Sequence, residues 1–270
     1  MPVIGTNPSA LNATFFLGAA DDGLAKSIKR LASGSRLADP SDDAAGIAVS
    51  SKLTAATRRL AAASEGAQNL ISFAQTADSF LKVIQDQLTR MSELATRATN
   101  GAYSASDRAN YMTEFSKLQS NITNQITNAR FNGTLVFSTT QTISASVSHD
   151  GANVYTLTIA NANGNVSGIT ASEISTVSGA TAAISALTTA LERVATSRAT
   201  VNADVSALNF YTLNLDSEKI NTEAANSRIK DLEFANESTM LAKFNILSQS
   251  ATAMLAQANV SQSSVLGLLR

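Results

Sequence analysis

The chain has 270 residues, with 20 Lys and Arg against 21 Asp and Glu, a formal charge of -1 and a pI near 5.9. This balance lacks the basic footprint of a nucleic-acid binder. With no Trp, 5% aromatic residues and no Cys, the composition excludes a thick aromatic core, a disulfide framework, a thiolate metal site and a Cys nucleophile.

Proline occurs only at Pro2, Pro8 and Pro40, which leaves the rest of the chain free to form long helices. Met1-Pro2-Val3-Ile4-Gly5 has no basic region followed by an apolar stretch, so it does not read as a cleaved secretion signal. No run approaches the ~20 apolar residues of a membrane span, and no membrane insertion is expected.

Ala13, Leu17, Ala20, Leu24, Ile28 and Leu31 form a first amphipathic stripe, interrupted by Ser33-Gly34-Ser35 and by Asp39-Pro40-Ser41-Asp42. Ser41 or Asp42 is placed to cap the next helix, with Asp42 and Asp43 suited to its N-terminal dipole. Leu70, Phe73, Ala77, Phe80, Ile84, Gln87, Met91, Leu94 and Ala98 then alternate by three and four. That spacing predicts a long second helix, stopping at Asn100-Gly101 with the glycine in a left-handed cap. A third helix begins near Ser106, carries Tyr111, Phe115, Leu118, Ile122, Ile126 and Ala129 on one face, and ends at Asn132-Gly133.

From Thr134 the period shortens to two. Ile143, Ala145 and Val147 alternate with serines, and Tyr155, Leu157 and Ile159 with Thr156, Thr158 and Ala160. The turn His149-Asp150-Gly151-Ala152-Asn153 between them predicts a β-hairpin, and a Gly/Asn/Ser-rich connection, Asn161 to Gly168, leads away. Helical spacing resumes with Ile184, Leu187, Leu191, Val194, Arg198, Val201, Val205, Leu208, Thr212 and Leu215, and weakens over Asn221 to Arg228. A terminal stripe follows at Met240, Phe244, Leu247, Ala251, Met254, Ala258, Ser261, Val265 and Leu268. The expected fold is mainly α: a long antiparallel helical bundle or coiled coil formed by both ends of the chain, with a small β-hairpin insertion.

Candidate chemistry is sparse. His149 beside Asp150 resembles half of a dyad, but its turn composition and the lack of a second His or Cys make it an exposed loop residue. Asp21-Asp22-Gly23 lacks the spacing of a calcium loop and reads as a helix irregularity. The Asp42-Asp43 pair is read as helix-start charge, and no phosphate loop, nucleophile elbow or zinc motif occurs. No catalytic, cofactor or metal site is expected. A lone amphipathic helix is marginal in water, so the terminal stripe calls for a partner.

Leu31-Ala32-Ser33-Gly34-Ser35-Arg36-Leu37 followed by Ser41-Asp42-Asp43-Ala44-Ala45-Gly46 resembles bacterial flagellin. The likeness continues through Ala74-Gln75-Thr76-Ala77, Arg90-Met91-Ser92-Glu93-Leu94-Ala95, Asn100-Gly101 and Arg130-Phe131-Asn132-Gly133. It resumes in Leu255-Ala256-Gln257-Ala258-Asn259 and Val265-Leu266-Gly267-Leu268-Leu269-Arg270. The resemblance implies a non-enzymatic subunit of the flagellar filament, secreted through the flagellar type III export apparatus and polymerised beneath a cap for swimming motility. Export chaperone and junction proteins are implied as further partners. Residues 1–42 and 228–270 would form the inner tube, 43–138 and 178–227 the second helical layer, and 139–177 the hairpin with a reduced outer segment. Polymerisation would fall to Leu17, Leu24, Ile28, Leu31, Phe244, Leu247, Met254, Val265 and Leu268. A surface similar to that read by the vertebrate innate flagellin receptor lies at Arg90, Glu93, Leu94 and Glu114. A hook-filament junction protein shares this two-ended plan, and a non-flagellar coiled-coil scaffold is the alternative of another class.

Overall fold

A computed structural model describes residues 6–137 and 139–267, with side chains as far as Ser261. The segment 1–5 read above and Leu268 lie outside the described residues, as does the Val265 side chain. Six helices are present among the described residues: α1 (Pro8–Ser33), α2 (Ala44–Ala98), α3 (Ala105–Asn128), α4 (Ala162–Val166), α5 (Val177–Lys230) and α6 (Phe234–Gly267). Two antiparallel strand pairs accompany them, β1 (Arg130–Phe131) with β2 (Thr134–Leu135), and β3 (Gln141–Ser146) with β4 (Val154–Ile159). The fold is therefore mainly α, with only small strand pairs.

The chain divides into two compact units, one made of the residues up to Ala55 and from Asn221 onward, the other Ala56–Ile220. In the second unit α2 buries a strict three-four series from Leu60, Ala63 and Ala67 through Leu81, Ile84 and Leu88 to Ala95 and Ala98. A repeat of 3.5 falls short of the 3.6 residues of an α-helical turn, so a stripe this long winds with a left-handed supercoil. α5 answers with Leu187, Val194, Val201, Leu208 and Leu215, all buried and one heptad apart. Ser64 meets Asp216, and Asp78 meets Arg198, so α2 and α5 run antiparallel. α3 adds Phe115, Ile122 and Ile126. Leu88 rather than Gln87 lies fully buried, and Leu81 rather than Phe80, because the buried series steps one residue past the expected stripe.

Several boundaries differ from the sequence expectation. The cap of α2 is Asp43, whose carboxylate accepts from the Gly46 N–H at 2.8 Å; Ser41 instead donates to Asp39, and Asp42 pairs with Lys26 and Arg30. Gly101 is not left-handed, because the Asn100 side chain accepts from the Ala102 N–H and closes a turn there. α3 is entered through a capping box of Ser104 and Asp107 and ends at Asn128. Asn132-Gly133 is a hairpin turn rather than a helix end. Both residues have positive φ, 47° and 81°, the type I′ geometry that matches strand twist and that Asn-Gly accommodates.

The connection after β4 holds the short α4, and its Ala162, Val166, Ile169 and Ile174 are buried in the core with Leu157 and Ile159. The polar stretch Asn221–Arg228 lies within α5, whose break comes later, between Lys230 and Phe234. The β3–β4 hairpin has the expected alternation, with Ile143 opposite Leu157 and Ala145 opposite Tyr155.

Candidate self-association surface

In the unit that holds both ends, α1 and α6 lie antiparallel. Asn7 caps α1 by accepting from the Ala10 N–H, while its amide donates to the Ala258 carbonyl at 3.0 Å. Ser248 donates to Asp21 at 2.9 Å, and Arg30 reaches Glu237 at 3.8 Å. The Phe244 ring lies over Gly23, where an added Cβ would come within 2.5 Å of it. Asp21-Asp22-Gly23 is therefore a seat for Phe244 inside a continuous helix, not an irregularity.

Apart from Glu237, which faces Arg30, the buried residues of this seam are small: Ala13, Ala20 and Ser27 on α1, and Ala251 on α6. Leu17, Leu24 and Leu31 flank them, half-buried. Ser27 takes the seam position expected for Ile28, since the strict 3.5 series runs 20, 24, 27, 31 and turns Ile28 outward. Phe244 is half-buried, whereas Leu247 and Met254 are exposed.

A two-helix pair buries one stripe of each helix and leaves the rest to solvent. Here the remainder carries bulky apolar side chains among its polar ones: Leu11 is 76% exposed, Phe15 72%, Phe16 64%, Ile246 63% and Met254 64%. Each large apolar side chain taken fully from water contributes about 1.5–3 kcal/mol, so this unit holds a large unused driving force for association. Leu11, Phe15, Phe16 and Ile246 lie outside the three-four stripe, and their signal in the sequence is bulk apolar residues on the supposedly polar face.

A cluster of charges ties α1 to the segment that follows it. Asp42 accepts from Lys26 and Arg30, and Lys29 lies 2.7 Å from Asp39. Lys29, with the Ser41 N–H and hydroxyl, lowers the Asp39 carboxyl to about 2, and Lys26 then Arg30 hold that of Asp42 below its usual value. The two connectors are stitched together by Leu232 N–H to Gly34 O at 3.1 Å, Arg36 N–H to Lys230 O at 2.8 Å, and an isolated bridge of Ser35 with Asp231.

In the other unit, Arg90 donates to Glu114 at 2.8 Å and to Glu93 at 2.9 Å, and these carboxylates push its guanidinium up. Leu94 does not share that surface. At 1% exposure it belongs to the buried face of α2, one position round from Glu93. His149 is exposed on the hairpin turn, with Nδ1 2.9 Å from Glu218, while Asp150 accepts from Ser148 and Ala152. Among the described residues no group of three or more His, Cys, Asp or Glu is placed to hold a metal ion. No helix there is long and apolar enough to cross a membrane.

Residues 4–142 match the bacterial flagellin N-terminal helical region, and residues 184–269 the bacterial flagellin C-terminal helical region. Flagellin FlaB1 of Treponema pallidum (strain Nichols) is 36% identical, across 99% of this chain and 100% of that protein. The flagellin of Halalkalibacterium halodurans is 33% identical, across 99% and 100%. The crystal structure of Bacillus cereus flagellin superposes with a TM-score of 0.53 at 26% identity, covering 60% of this chain and 94% of that one. A structure described as a flagellar hook-associated protein from Vibrio parahaemolyticus reaches 0.61 over 70% of this chain and 100% of that one; at 12% identity it speaks to the fold alone.

Proposed function

Because this chain belongs to the bacterial flagellin family, we propose that its two helical units divide the work of building a filament. The protein is a structural subunit of the bacterial flagellar filament, polymerises with copies of itself and serves motility. The observation that carries the division of work is the set of bulky apolar side chains left in solvent on α1 and α6, led by Leu11, Phe15 and Met254.

In this reading residues 1–42 and 228–270 form the inner tube. Residues 43–138 and 178–227 form the layer around it, and 139–177 faces outward. Leu17, Leu24, Leu31 and Phe244 hold the α1–α6 pair together, which presents Ile28, Leu247 and Met254 to neighbouring subunits; the family resemblance assigns Val265 and Leu268 to polymerisation as well. The subunit is secreted through the type III export apparatus with a chaperone, and meets cap and junction proteins outside the cell. It has no catalytic role, in keeping with a family of structural proteins. Arg90, Glu93 and Glu114 offer a charged surface to the vertebrate innate flagellin receptor, with Leu94 supporting it from beneath. A purified monomer that gives no receptor-dependent signal sinks that last part.

The test of the division is a chain ending before Met254. It should form no filaments by electron microscopy, while residues 56–220 keep their helical signal and cooperative melt. Filaments from the truncated chain would overturn the assignment.

A further inference from the structure

α5 carries a second heptad series beside its buried one. Three residues after each of Val194, Val201, Leu208 and Leu215 stand Ser197, Asp204, Tyr211 and Glu218. Each of these engages the segment between the helical blocks. Asn165 donates to Ser197 at 3.0 Å, the Tyr155 hydroxyl donates to Asp204 at 2.8 Å, and the Tyr155 and Tyr211 rings lie 5.4 Å apart. His149 Nδ1 is 2.9 Å from Glu218. One rung thus recurs every two helical turns, on the side of α5 that the insertion covers.

The insertion itself is held in two ways. Its base is buried, with Leu157, Ile159, Val166 and Ile169 in the core. Above the base, no residue from Gln141 to Thr156 is fully buried. A two-stranded hairpin is marginal in water by itself, so this upper part depends on what it touches. It touches the polar rungs of α5, packs the half-buried Ile143, Ala145 and Tyr155 against the edge of the core and, through Ala145, meets the bare backbone of α2 at Gly66, where a Cβ would lie 3.6 Å from that of Ala145.

We infer that the hairpin tip, residues 144–156, is a strap fastened to α5 by this polar ladder, and that it lifts as a unit while its base and the coiled coil stay folded. Releasing it breaks the contacts to Asp204, Tyr211 and Glu218 but leaves Leu157 and Ile159 buried. Burial, aided by the Asp204 carboxylate, pushes the Tyr155 phenol up to about 12, so its hydroxyl remains a donor throughout the neutral range.

The test is amide hydrogen exchange on the full chain, read by mass spectrometry. In the unaltered protein the tip should exchange faster than residues 70–98 of α2. Tyr155→Phe should speed exchange of the tip about tenfold and Glu218→Ala by a smaller factor, and both should leave the helices unchanged. Because the chain has no native Cys, Gly66→Cys with Ala145→Cys offers a single disulfide at a permitted Cβ separation. Oxidation of that pair should slow the tip below the unaltered protein, and reduction should reverse this. The inference is overturned if either rung variant accelerates α2 and α5 as much as the tip, if both leave the tip unchanged, or if the disulfide does not slow it.

Discussion

The two units use the same small-residue, aromatic-poor composition to opposite effect. In residues 56–220 the core itself is built of large side chains: Leu81, Ile84, Leu88 and Met91 are sealed by α5, α3 and the insertion, although Phe210, Leu213 and Ile220 near the end of that unit face solvent. In the pair α1–α6 the inward positions go to Ala13, Ala20, Ser27 and Ala251, with Glu237 against Arg30, while Leu11, Phe15, Phe16 and Met254 face out. Large residues inside make a unit that is stable by itself. Small residues inside bring two helices close and leave the hydrophobic driving force for contacts made elsewhere.

The largest expected effect that tests this contrast is a pair of truncations. Leu88→Ala should cost the monomer about 2–5 kcal/mol in denaturant unfolding, since it opens a cavity in the sealed core. Phe15→Ala should cost the monomer less than about 0.5 kcal/mol, yet impair assembly measured by sedimentation. Equal losses of monomer stability would erase the distinction between the units. A middle-sized effect is expected where Phe244 crowds Gly23 in the α1–α6 seam. Gly23→Ala gains helix propensity but must displace the Phe244 ring, for a net loss of about 1–3 kcal/mol in local stability, read by amide exchange of α1.

The smallest effect concerns acid. Asp39 and Asp42 have carboxyls held below the ordinary 3.8 in the folded chain, so they bind protons more weakly there than when unfolded. Their contribution is complete above that ordinary value and is lost as pH falls towards about 2, the value for Asp39. Melting followed from pH 5 to 2 should therefore show a loss of stability that is shallower in Asp42→Asn. An identical profile in the variant would show that the cluster adds nothing to the joint.

Much of this was legible in the sequence. The stripes of α1, α2 and α5 follow apolar spacing, and the β3–β4 hairpin follows strict alternation about an Asp-Gly turn. Helix ends were less legible because competing turn chemistries share residues. Asn100-Gly101 and Asn132-Gly133 are the same dipeptide, yet one closes through a side-chain hydrogen bond and the other takes two positive φ values. The polar run Asn221–Arg228 gave the appearance of a break, but polar residues tolerate a helix well when no Gly or Pro interrupts them. Leu94 is joined to Arg90 and Glu93 by the family resemblance, whereas one residue of helix turns a side chain by about 100° and carries it into the core. The outward Leu11 and Phe15 escaped the stripe reading for a related reason: periodicity finds the face that is buried within a chain and is silent about faces completed by another.

The hydrogen bond from Asn7 to Ala258 joins residues 251 positions apart. Its consequence is one of timing. During synthesis every residue of α1 emerges before any residue of α6, so while the intervening residues are made the first helix has its stripe ready and nothing in its own chain to close against. The partner that completes it comes only after the whole of the second unit, and until then a newborn chain carries an unclosed adhesive stripe.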